Sequence, residues 1–414
     1  MTVIAKDVTL DGIKAAAQLI EREVVRTPLV ASRRLSQETG AEAFLKLENL
    51  QVTGSFKARG AFVKLSSLGK DEGRRGVIAM SAGNHAQGVA YHAERLKIPA
   101  TIVMPEFAPF SKVERTRGYG ARVVLTGDTL DAAAVSAREI AAEEDLTFVH
   151  PYDDPKIVAG QGTIGLELLA DNPDLDAVVV PIGGGGLISG IATAVKAIKP
   201  KIRVVGVETE LYPSMYQAIN ELPPRSGGQT LADGIAVKSP GKLTQAIIAE
   251  LVEEILLVGE EAIESAVHTL AEQQKLVAEG AGAAGVAALQ RYRERFAGQR
   301  VAVVIGGGNI DARLLSAVLA RGLARDGRLV RLRIEILDQP GVLAQVAQII
   351  GHTGGNIIEV FHQRMFYNVP AKSADLDVIV ESRNREHVHE IMAALKAGGF
   401  NSRILSARSD AGED

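Results

Sequence analysis

The sequence predicts an α/β protein in which helices cover parallel sheets, followed by a small domain with the ferredoxin-like element order βαββαβ. Three observations support this. Short β-branched runs alternate with helical patterns, glycine-rich turns directly follow several of these runs, and the order of elements changes near residue 325. Continuous apolar strands separated by helices are typical of parallel sheets buried on both faces. We therefore expect a larger domain over residues 1–325 and a smaller one over residues 326–408.

The strands predicted for the larger domain are short apolar runs. They are Val77–Met80, Thr101–Met104, Arg122–Leu125, Ala177–Ile182, Val204–Val207 and Val301–Ile305. Alanine- and leucine-rich stretches lie between them, and two of these, Asp131–Glu144 and Glu260–Lys275, show the apolar spacing of helices. The alternation predicts strands joined by helical connections and therefore parallel sheets.

The smaller domain begins after a charged segment, Arg321–Arg333, which we expect to be a linker or the end of a helix that leads into a new strand. The elements that follow are predicted in the order strand, helix, strand, strand, helix, strand. They are Val330–Leu337, Gly341–His352, Asn356–Gln363, Ala374–Glu381, Glu386–Ala397 and Ser402–Leu405. This is the ferredoxin-like order. Small domains of this kind commonly pair through their sheets, so we expect an oligomer.

Composition excludes several classes of function. The chain has 414 residues, with 46 Lys and Arg against 50 Asp and Glu, whereas a general binder of nucleic-acid backbones is usually basic. Cysteine is absent, which excludes disulfides, thiolate zinc sites and cysteine nucleophiles. Aromatic residues make up only 4% and tryptophan is absent, which disfavours single-strand binding by base stacking. We expect no nucleic-acid partner.

Neither a signal peptide nor a membrane span is predicted. Charges at Lys6, Asp7 and Asp11 interrupt the N-terminal segment before an apolar core could form. One charge-free run, residues 177–195, is long enough to span a bilayer. However, Pro181 and four consecutive glycines lie in its middle, and each glycine costs about 1 kcal/mol relative to alanine inside a helix. We expect a strand, a turn and a helix here, in a cytoplasmic protein.

Lys57 is the first candidate catalytic residue. It lies in the motif GSFKARGA, where it follows a Gly-Ser turn signal and opens a helical pattern. A lysine held among small residues and shielded from water has a lowered pKa, because burial disfavours the charged amine. The neutral amine can then form a Schiff base. The motif alone leaves open the alternative of an ordinary solvated surface lysine.

A second motif, SAGNHAQG, is a candidate anion site. It begins at Ser81, directly after the strand Val77–Met80, and it opens a helix. Backbone N–H groups and the helix dipole at such a start favour a carboxylate or a phosphate. The amide of Asn84 suits a ring hydroxyl or a carbonyl. The alternative is a simple helix cap formed by Ser81 or Asn84.

A third motif, PIGGGGLISG at residues 181–190, is expected to bind phosphate, because four glycines let a phosphate approach the backbone amides closely. It matches neither the dinucleotide fingerprint G-x-G-x-x-G nor a P-loop, which disfavours a nicotinamide oxidoreductase. A tight helix–sheet packing turn is the alternative. VVIGGGN, which ends at Asn309, is another strand-to-glycine junction. The three junctions could converge at the carboxyl ends of the strands, where open α/β sheets bind ligands.

Glu279, in AEGAGAAG, is flanked by small residues. Three interpretations are open for it: a catalytic group, a member of a polar network or a solvated side chain. Eight histidines are present, but the sequence contains no H-E-x-x-H motif and no carboxylate cluster with calcium-loop spacing. We therefore expect no metal site.

Together these motifs resemble the fold-type II (tryptophan synthase β-like) pyridoxal-phosphate enzymes, and among them the threonine/serine ammonia-lyases, also called threonine dehydratases. The resemblance covers roughly residues 5–320. Its motifs are RTPL at Arg26–Leu29, KLENLQVTGSFKARGA at Lys46–Ala61, SAGNHAQGVA, HPYDDPKIVAGQGT at His150–Thr163, the Gly183–Gly186 loop and GGGN at Gly306–Asn309. It implies a two-lobed catalytic region in which a smaller lobe, about residues 45–150, is inserted in the larger one.

The resemblance implies a role for each matching residue. Lys57 would form the Schiff base with pyridoxal 5′-phosphate and, once released, would remove the α-proton of the substrate. Phe56 would pack beside the cofactor ring, and Asn84 would hydrogen-bond its phenolic oxygen. Gly306 stands where the family often has a serine or another side chain facing the pyridine nitrogen. The phosphate would be bound by the backbone amides of Gly183, Gly184, Gly185, Gly186 and Leu187. The substrate would be received by Ser81, Asn84, His85 and Glu279.

The implied reaction is a β-elimination in which L-threonine loses water and its product hydrolyses to 2-oxobutanoate and ammonia, while L-serine gives pyruvate. An ammonia-lyase for L-serine or 3-hydroxyaspartate is an alternative, and a non-catalytic amino-acid sensor is one of another class. Serine racemases of this family carry a second serine where Ala82 stands, so elimination is favoured over racemisation. Their divalent-cation site is poorly matched as well, since Ser214 stands where an acid is expected beside Glu208; we expect no required metal.

The segment LDQPGVLAQVAQIIGHTGGNI at Leu337–Ile357 resembles an ACT domain, a regulatory amino-acid-binding module, over about residues 330–405. This implies feedback regulation by an amino-acid effector at a dimer interface. The effector residues would be Asp338, Gly341, Val342, Leu343 and Asn356. Isoleucine is the inhibitor expected in a biosynthetic role, because 2-oxobutanoate leads to it. The resemblance favours a homodimer or a homotetramer.

Overall fold

The computed structural model describes residues 7–363 and 373–405, and the chain divides into two compact units, with the division between Ile310 and Asp311. The helix Ala312–Arg325 groups with the second unit. The domain boundary predicted from the sequence, between residues 325 and 326, falls at the C-terminal end of this helix and stays a prediction.

The first unit contains two sheets within its described residues. Its strands are β1 Leu29–Ala31, β2 Glu42–Lys46, β3 Val77–Met80, β4 Ala100–Met104, β5 Arg122–Leu125, β6 Thr147–Phe148, β7 Ala177–Pro181, β8 Arg203–Thr209, β9 Glu254–Val258 and β10 Arg300–Val304. The larger sheet has the order β1-β2-β10-β7-β8-β9 and is parallel except for the antiparallel pair β1–β2. The smaller sheet, β5-β4-β3-β6, is parallel throughout. Its strands lie between β2 and β7 in the chain.

Helices connect these strands and cover the sheets. They are α1 Leu10–Ile20, α2 Arg33–Thr39, α3 Lys57–Ser66, α4 Lys70–Arg75, α5 Asn84–Leu96, α6 Phe110–Gly118, α7 Leu130–Glu143, α8 Pro155–Asp171, α9 Gly186–Ile198, α10 Ser214–Ile219, α11 Lys242–Leu251, α12 Glu260–Gln274 and α13 Gly280–Arg291. Short 3₁₀ turns occur at Glu48–Leu50, Asp233–Ile235 and Arg293–Arg295. Every residue of β7 is buried, as expected for a parallel strand covered on both faces.

All six strands predicted for this unit are present, with ends that differ by at most two residues. The sequence analysis missed β1, β2, β6 and β9. The strands β1 and β6 have only three and two residues, too few to show a period. The strand β2 mixes charged and apolar residues, and β9 forms the edge of its sheet with three of its five residues only partly buried.

The helices α8 and α9 touch backbone to backbone around Gly162 and Gly190. A Cβ atom at Gly190 would lie 2.3 Å from the carbonyl oxygen of Val158 and 2.5 Å from the backbone nitrogen of Gly162. The helix α8 also packs against α3, which begins at Lys57, while α9 begins at the glycine-rich loop. This contact therefore helps to set the position of one candidate motif relative to another.

Gly190→Ala is expected to lower the free energy of unfolding by about 1–3 kcal/mol, because the added methyl group meets backbone atoms that cannot rotate away. Denaturant unfolding followed by circular dichroism measures this change. Gly73→Ala in α4 is the matched control, since its nearest atom lies 3.9 Å from the new Cβ and alanine favours a helix. Equal effects of the two substitutions would show that the α8–α9 contact is not tightly packed.

The second unit has the βαββαβ order after its first helix, as predicted. Its elements are α14 Ala312–Arg325, β11 Leu329–Leu337, α15 Val342–His352, β12 Asn356–Gln363, β13 Ser373–Glu381, α16 Arg385–Ala397 and β14 Ser402–Ile404. The sheet is antiparallel with the order β12-β13-β11-β14, which confirms the ferredoxin-like fold. The charged segment that was predicted as a linker or a helix end comprises the end of α14, a short turn and the first residues of β11.

The helices described here do not include one that is long and apolar enough to cross a membrane. The charge-free run at residues 177–195 has the length of a membrane span, but it forms β7, the glycine turn and most of α9.

Candidate active site

Lys57 is the first residue of α3, and its side chain is held by a backbone carbonyl from a distant segment. Its Nζ donates a hydrogen bond to the carbonyl oxygen of Pro151 at 2.8 Å and lies 5.2 Å from the centre of the Phe56 ring. Burial lowers the pKa of Lys57 to about 8, although the nearby carboxylate of Glu279 acts in the opposite direction. A substantial fraction of this amine is therefore neutral near physiological pH, unlike that of an ordinary solvated lysine.

The residues just before Lys57 are tied to the glycine run that follows β10. The backbone N–H of Phe56 donates to the carbonyl oxygen of Gly306 at 3.1 Å, and Ser55 forms an antiparallel bridge with Gly307. A Cβ atom at Gly306 would have its nearest neighbour, Cδ1 of Phe56, at 3.4 Å. A side chain could therefore begin at this position, so space alone does not explain the glycine.

Asn84 lies at the centre of a polar network that joins the motifs after β3 and β10. Its Nδ2 donates to Oε1 of Glu279 at 2.6 Å, and its Oδ1 accepts a hydrogen bond from Nδ2 of Asn309 at 2.8 Å. Arg115 extends the network by donating to Oδ1 of Asn309 at 3.1 Å. Glu279 is buried, so the solvated interpretation of this residue is wrong. Burial, together with the charge of Asp233, raises the pKa of Glu279 to about 7.

The helix α5 begins at Asn84 with Gly83 in the cap position, so the interpretation of Ser81 or Asn84 as its N-cap is wrong. Ser81 instead accepts a hydrogen bond from the backbone N–H of Gly83 at 3.1 Å. His85 is buried, with Nε2 3.0 Å from the carbonyl oxygen of Val149. Burial, assisted by the charge of Lys57, lowers the pKa of His85 to about 3, so the ring is neutral near pH 7.

The loop Gly183–Leu187 joins β7 to α9 and fits a phosphate group. Within the described residues, none of its five backbone N–H groups donates to a protein acceptor. Its shape is fixed from two sides. A Cβ atom at Gly184 would lie 2.1 Å from the ring of Tyr152, and Thr244 donates its hydroxyl to the carbonyl oxygen of Gly184 at 2.6 Å. The free N–H groups at a helix start are suited to an anion.

A buried ion network anchors α3 behind Lys57. Arg59 donates two hydrogen bonds to the carboxylate of Glu48, at 2.7 and 2.8 Å, and two to that of Glu167, at 2.6 and 3.0 Å. Lys46 donates to Oε2 of Glu167 at 2.6 Å. The side chains of Arg59, Glu48 and Lys46 are fully buried. Sequence reasoning missed this network.

Sequence reasoning also missed the partners that hold the candidate groups in place: Pro151, Tyr152, Thr244 and Arg115. The only signal was the string HPYD at residues 150–153, which is part of a motif that carried the resemblance. By contrast, the structure brings several of the predicted substrate- and cofactor-binding residues together. Phe56 is hydrogen-bonded to Gly306 and lies beside the Lys57 amine. Asn84 is hydrogen-bonded to Glu279.

Glu208, the acid considered above for a divalent-cation site, is hydrogen-bonded within the protein. It accepts hydrogen bonds from the backbone N–H groups of Met215 and Tyr216 at 2.9 and 2.8 Å, at the start of α10. Burial raises the pKa of Glu208 to about 7. Ser214 is buried beside these residues.

The second unit contains a cavity of about 250 Å³ at the end of β11 and the start of α15. Three predicted effector residues line it: Asp338, Gly341 and Leu343. Val342 and Asn356 are not among its lining residues. Asn356 instead donates a hydrogen bond to Glu381 at 3.1 Å. His362, which the sequence analysis did not select, contributes to the wall.

Comparison with known proteins gives consistent matches. The chain matches the family of pyridoxal-phosphate dependent enzymes over residues 20–307 and an ACT domain over residues 326–398. It is 46% identical over 400 residues to an L-threonine ammonia-lyase of Thermotoga maritima. The match covers 96% of this chain and 100% of that protein.

Solved structures agree in fold. A threonine deaminase from T.th. has a TM-score of 0.69 at 42% identity, covering 73% of this chain and 99% of that one. Maize serine racemase has a TM-score of 0.71 at 32% identity, covering 77% of this chain and 99% of that one. These matches agree with the buried Lys57 and with the glycine loop described above. The chain belongs to the family of pyridoxal-phosphate dependent enzymes and carries an ACT domain after its catalytic region.

Proposed function

We propose that this protein is an ammonia-lyase that converts L-threonine to 2-oxobutanoate and ammonia, with L-serine as a secondary substrate that gives pyruvate. One observation carries the proposal: the buried Lys57 amine, whose pKa is lowered, is held by a segment that also packs against the glycine loop 183–187. The substrate is supported by the relatives named above, two of which are a threonine ammonia-lyase and a threonine deaminase.

The chain's own residues divide the work as follows. Gly183–Leu187 would hold the cofactor phosphate through their backbone N–H groups. Lys57 would hold the cofactor through its amine and would accept the proton from the substrate α-carbon. Asn84 would hydrogen-bond the cofactor ring, and its amide is oriented by the bond that it donates to Glu279. When bound, pyridoxal phosphate supplies an electron sink for the negative charge that develops at the α-carbon.

The substrate carboxylate is received at the start of α5, near Ser81 and Asn84. Since His85 is neutral near pH 7, it contributes no positive charge there. The carboxylate is therefore bound by hydrogen bonds and by the dipole of α5. Ala82 in the same motif offers only a methyl group, so this position cannot return a proton to the α-carbon. The absence of a hydroxyl at Ala82 supports elimination rather than racemisation.

The proposal is tested by 2-oxo acid release from L-threonine and L-serine, measured with the purified holoenzyme. We expect faster release from L-threonine, and no formation of D-serine from L-serine. If the cofactor is bound but neither substrate releases a 2-oxo acid, threonine and serine are excluded. The assay is then repeated with 3-hydroxyaspartate. If this substrate also releases no 2-oxo acid, the remaining hypothesis is a non-catalytic amino-acid sensor.

We further propose that the cavity in the second unit binds an amino-acid effector, and that isoleucine inhibits deamination through it. Asp338, Gly341 and Leu343 line a space of about 250 Å³, which is sufficient for one amino acid. Such regulation requires a measured coupling between the two sites. We expect a homodimer or a homotetramer in which these domains pair.

Isoleucine is expected to lower the rate of 2-oxobutanoate release, and Leu343→Asp is expected to weaken this inhibition while leaving the uninhibited rate unchanged. The substitution places a charge in the partly apolar cavity that must receive the aliphatic side chain. Rates measured across an isoleucine titration test this expectation. Regulation by this site is excluded if isoleucine, valine and other amino acids change neither the activity nor the quaternary structure.

A further inference from the structure

Four consecutive residues, His150–Asp153, contact both halves of the proposed cofactor site, and we call them the HPYD turn. The turn lies between β6 and α8. The carbonyl oxygen of Pro151 accepts the hydrogen bond from Nζ of Lys57 at 2.8 Å. The next residue, Tyr152, places its ring where a Cβ atom of Gly184 would otherwise lie, 2.1 Å from the ring. A shift of this turn would therefore move the support of the amine and the support of the phosphate loop together.

The imidazole of His150 organises the turn from within. Its Nδ1 accepts hydrogen bonds from the backbone N–H groups of Tyr152 at 3.3 Å and Asp153 at 2.8 Å. Bonds from a side chain to the N–H groups two and three residues later are those that asparagine and aspartate side chains make in turns. His150 also packs edge-on against the Tyr152 ring, with ring centroids 4.7 Å apart.

Asp153 and Tyr152 fix the outer side of the turn. The carboxylate of Asp153 accepts hydrogen bonds from the backbone N–H groups of Lys242 and Leu243, both at 3.0 Å, at the start of α11. In the same first turn of that helix, Thr244 donates its hydroxyl to Gly184. The hydroxyl of Tyr152 donates to the carbonyl oxygen of Ser239 at 3.0 Å. The glycine loop is thus held between the HPYD turn and α11, which are bonded to each other.

We propose that His150 is a positioning residue for the cofactor site: by accepting the two backbone hydrogen bonds it sets both the Pro151 carbonyl that holds the Lys57 amine and the Tyr152 ring that supports the phosphate loop. This inference rests on the proposed assignment of Lys57 and Gly183–Leu187 as the cofactor site. It assigns His150 no contact with substrate or cofactor and no proton transfer. Its consequence is that the retention of the cofactor depends on a hydrogen-bond acceptor at position 150.

The test compares His150→Asn with His150→Leu in the holoenzyme. Both variants are diluted into buffer without cofactor, and the release of pyridoxal phosphate is followed by the loss of protein-bound cofactor absorbance. Asparagine retains an oxygen that can accept the same two bonds, whereas leucine retains bulk without an acceptor. We expect release about tenfold faster from His150→Leu, which corresponds to the loss of one to two neutral hydrogen bonds, and within about twofold of wild type from His150→Asn.

Two further comparisons separate positioning from general loss of structure. His268→Leu removes another buried imidazole of the same unit, on α12, and should leave the release rate unchanged. Tyr152→Phe keeps the ring against Gly184 and should release the cofactor at nearly the wild-type rate, whereas Tyr152→Leu should release it faster. If His150→Leu does not fold, His150→Ala, which also lacks an acceptor, takes its place in the comparison with His150→Asn.

The outcomes are distinct. Rescue by asparagine but not by leucine at position 150 supports the inference. Equal release rates in wild type and His150→Leu would overturn it while leaving the proposed function in place, and so would equally fast release from both His150 variants. If the wild-type protein itself does not retain pyridoxal phosphate, the proposed cofactor site fails and this inference fails with it.

Discussion

Lys57→Ala is expected to lower the rate of 2-oxo acid release from L-threonine by roughly 10⁴-fold or more, because we propose that the amine serves both as the attachment point of the cofactor and as the base that accepts the α-proton. The two nearby titratable side chains are bonded elsewhere: the His85 ring contacts the carbonyl oxygen of Val149, and the carboxylate of Glu279 accepts a hydrogen bond from Asn84. The rate is measured with an excess of added pyridoxal phosphate, so that weaker retention of the cofactor does not limit it.

Lys70→Ala is the matched control for this prediction. Lys70 is the first residue of α4 and is exposed. Its removal should leave the turnover close to that of the wild type. The phosphate loop is intact in Lys57→Ala, so this variant should still bind pyridoxal phosphate without turning over substrate. Turnover near the wild-type rate in Lys57→Ala would contradict the assignment of the catalytic residue.

Arg59→Met is expected to lower the free energy of unfolding by about 3–5 kcal/mol, the cost typical of removing one partner from a buried ion pair. Methionine fills much of the space but leaves Glu48 fully buried without the two hydrogen bonds from Arg59. Denaturant unfolding gives the free energy. Arg74→Met, which removes a side chain that is 80% exposed, should change it by less than about 0.5 kcal/mol. Similar losses in both variants would show that the buried network contributes little.

The same network gives this stability a pH dependence. Burial alone would raise the pKa of Glu48, but the charge and hydrogen bonds of Arg59, together with the Thr27 hydrogen bond and the charge of Lys46, outweigh it and the net pKa is lowered. A carboxyl whose pKa is lower in the folded state stabilises the fold above its unfolded pKa, and this contribution is lost as the pH falls through the folded pKa. The difference in unfolding free energy between wild type and Arg59→Met should therefore shrink toward acid pH.

The fold was predictable where the local sequence carries the signal. The central strands of the parallel sheets are apolar and mostly rich in valine, so β7 and β10 were found with ends differing by only one residue. Edge and very short strands such as β1 and β6 were missed, because pairing with a neighbour rather than their own pattern makes them strands. The second unit was predictable because most of its elements are long enough to show their period.

The candidate site was predictable only in part, for a related reason. Lys57, Asn84 and the glycine loop lie at junctions between a turn and a helix, and such junctions are visible locally. Their partners are distant in the chain: Asn84 and Glu279 are 195 residues apart. Burial is also a property of the fold, and it makes His85 neutral, which the residue type alone does not reveal.

The backbone contact between α8 and α9 determines which interior positions an engineer can vary. Buried side chains of the parallel strands can be exchanged for others of similar volume, usually at a cost below about 1.5 kcal/mol. At Gly162 and Gly190 no such exchange exists, because even a methyl group would meet backbone carbonyl oxygens of the other helix at 2.8 and 2.3 Å, respectively. A library intended to change substrate preference should keep both glycines and place its diversity around the substrate site.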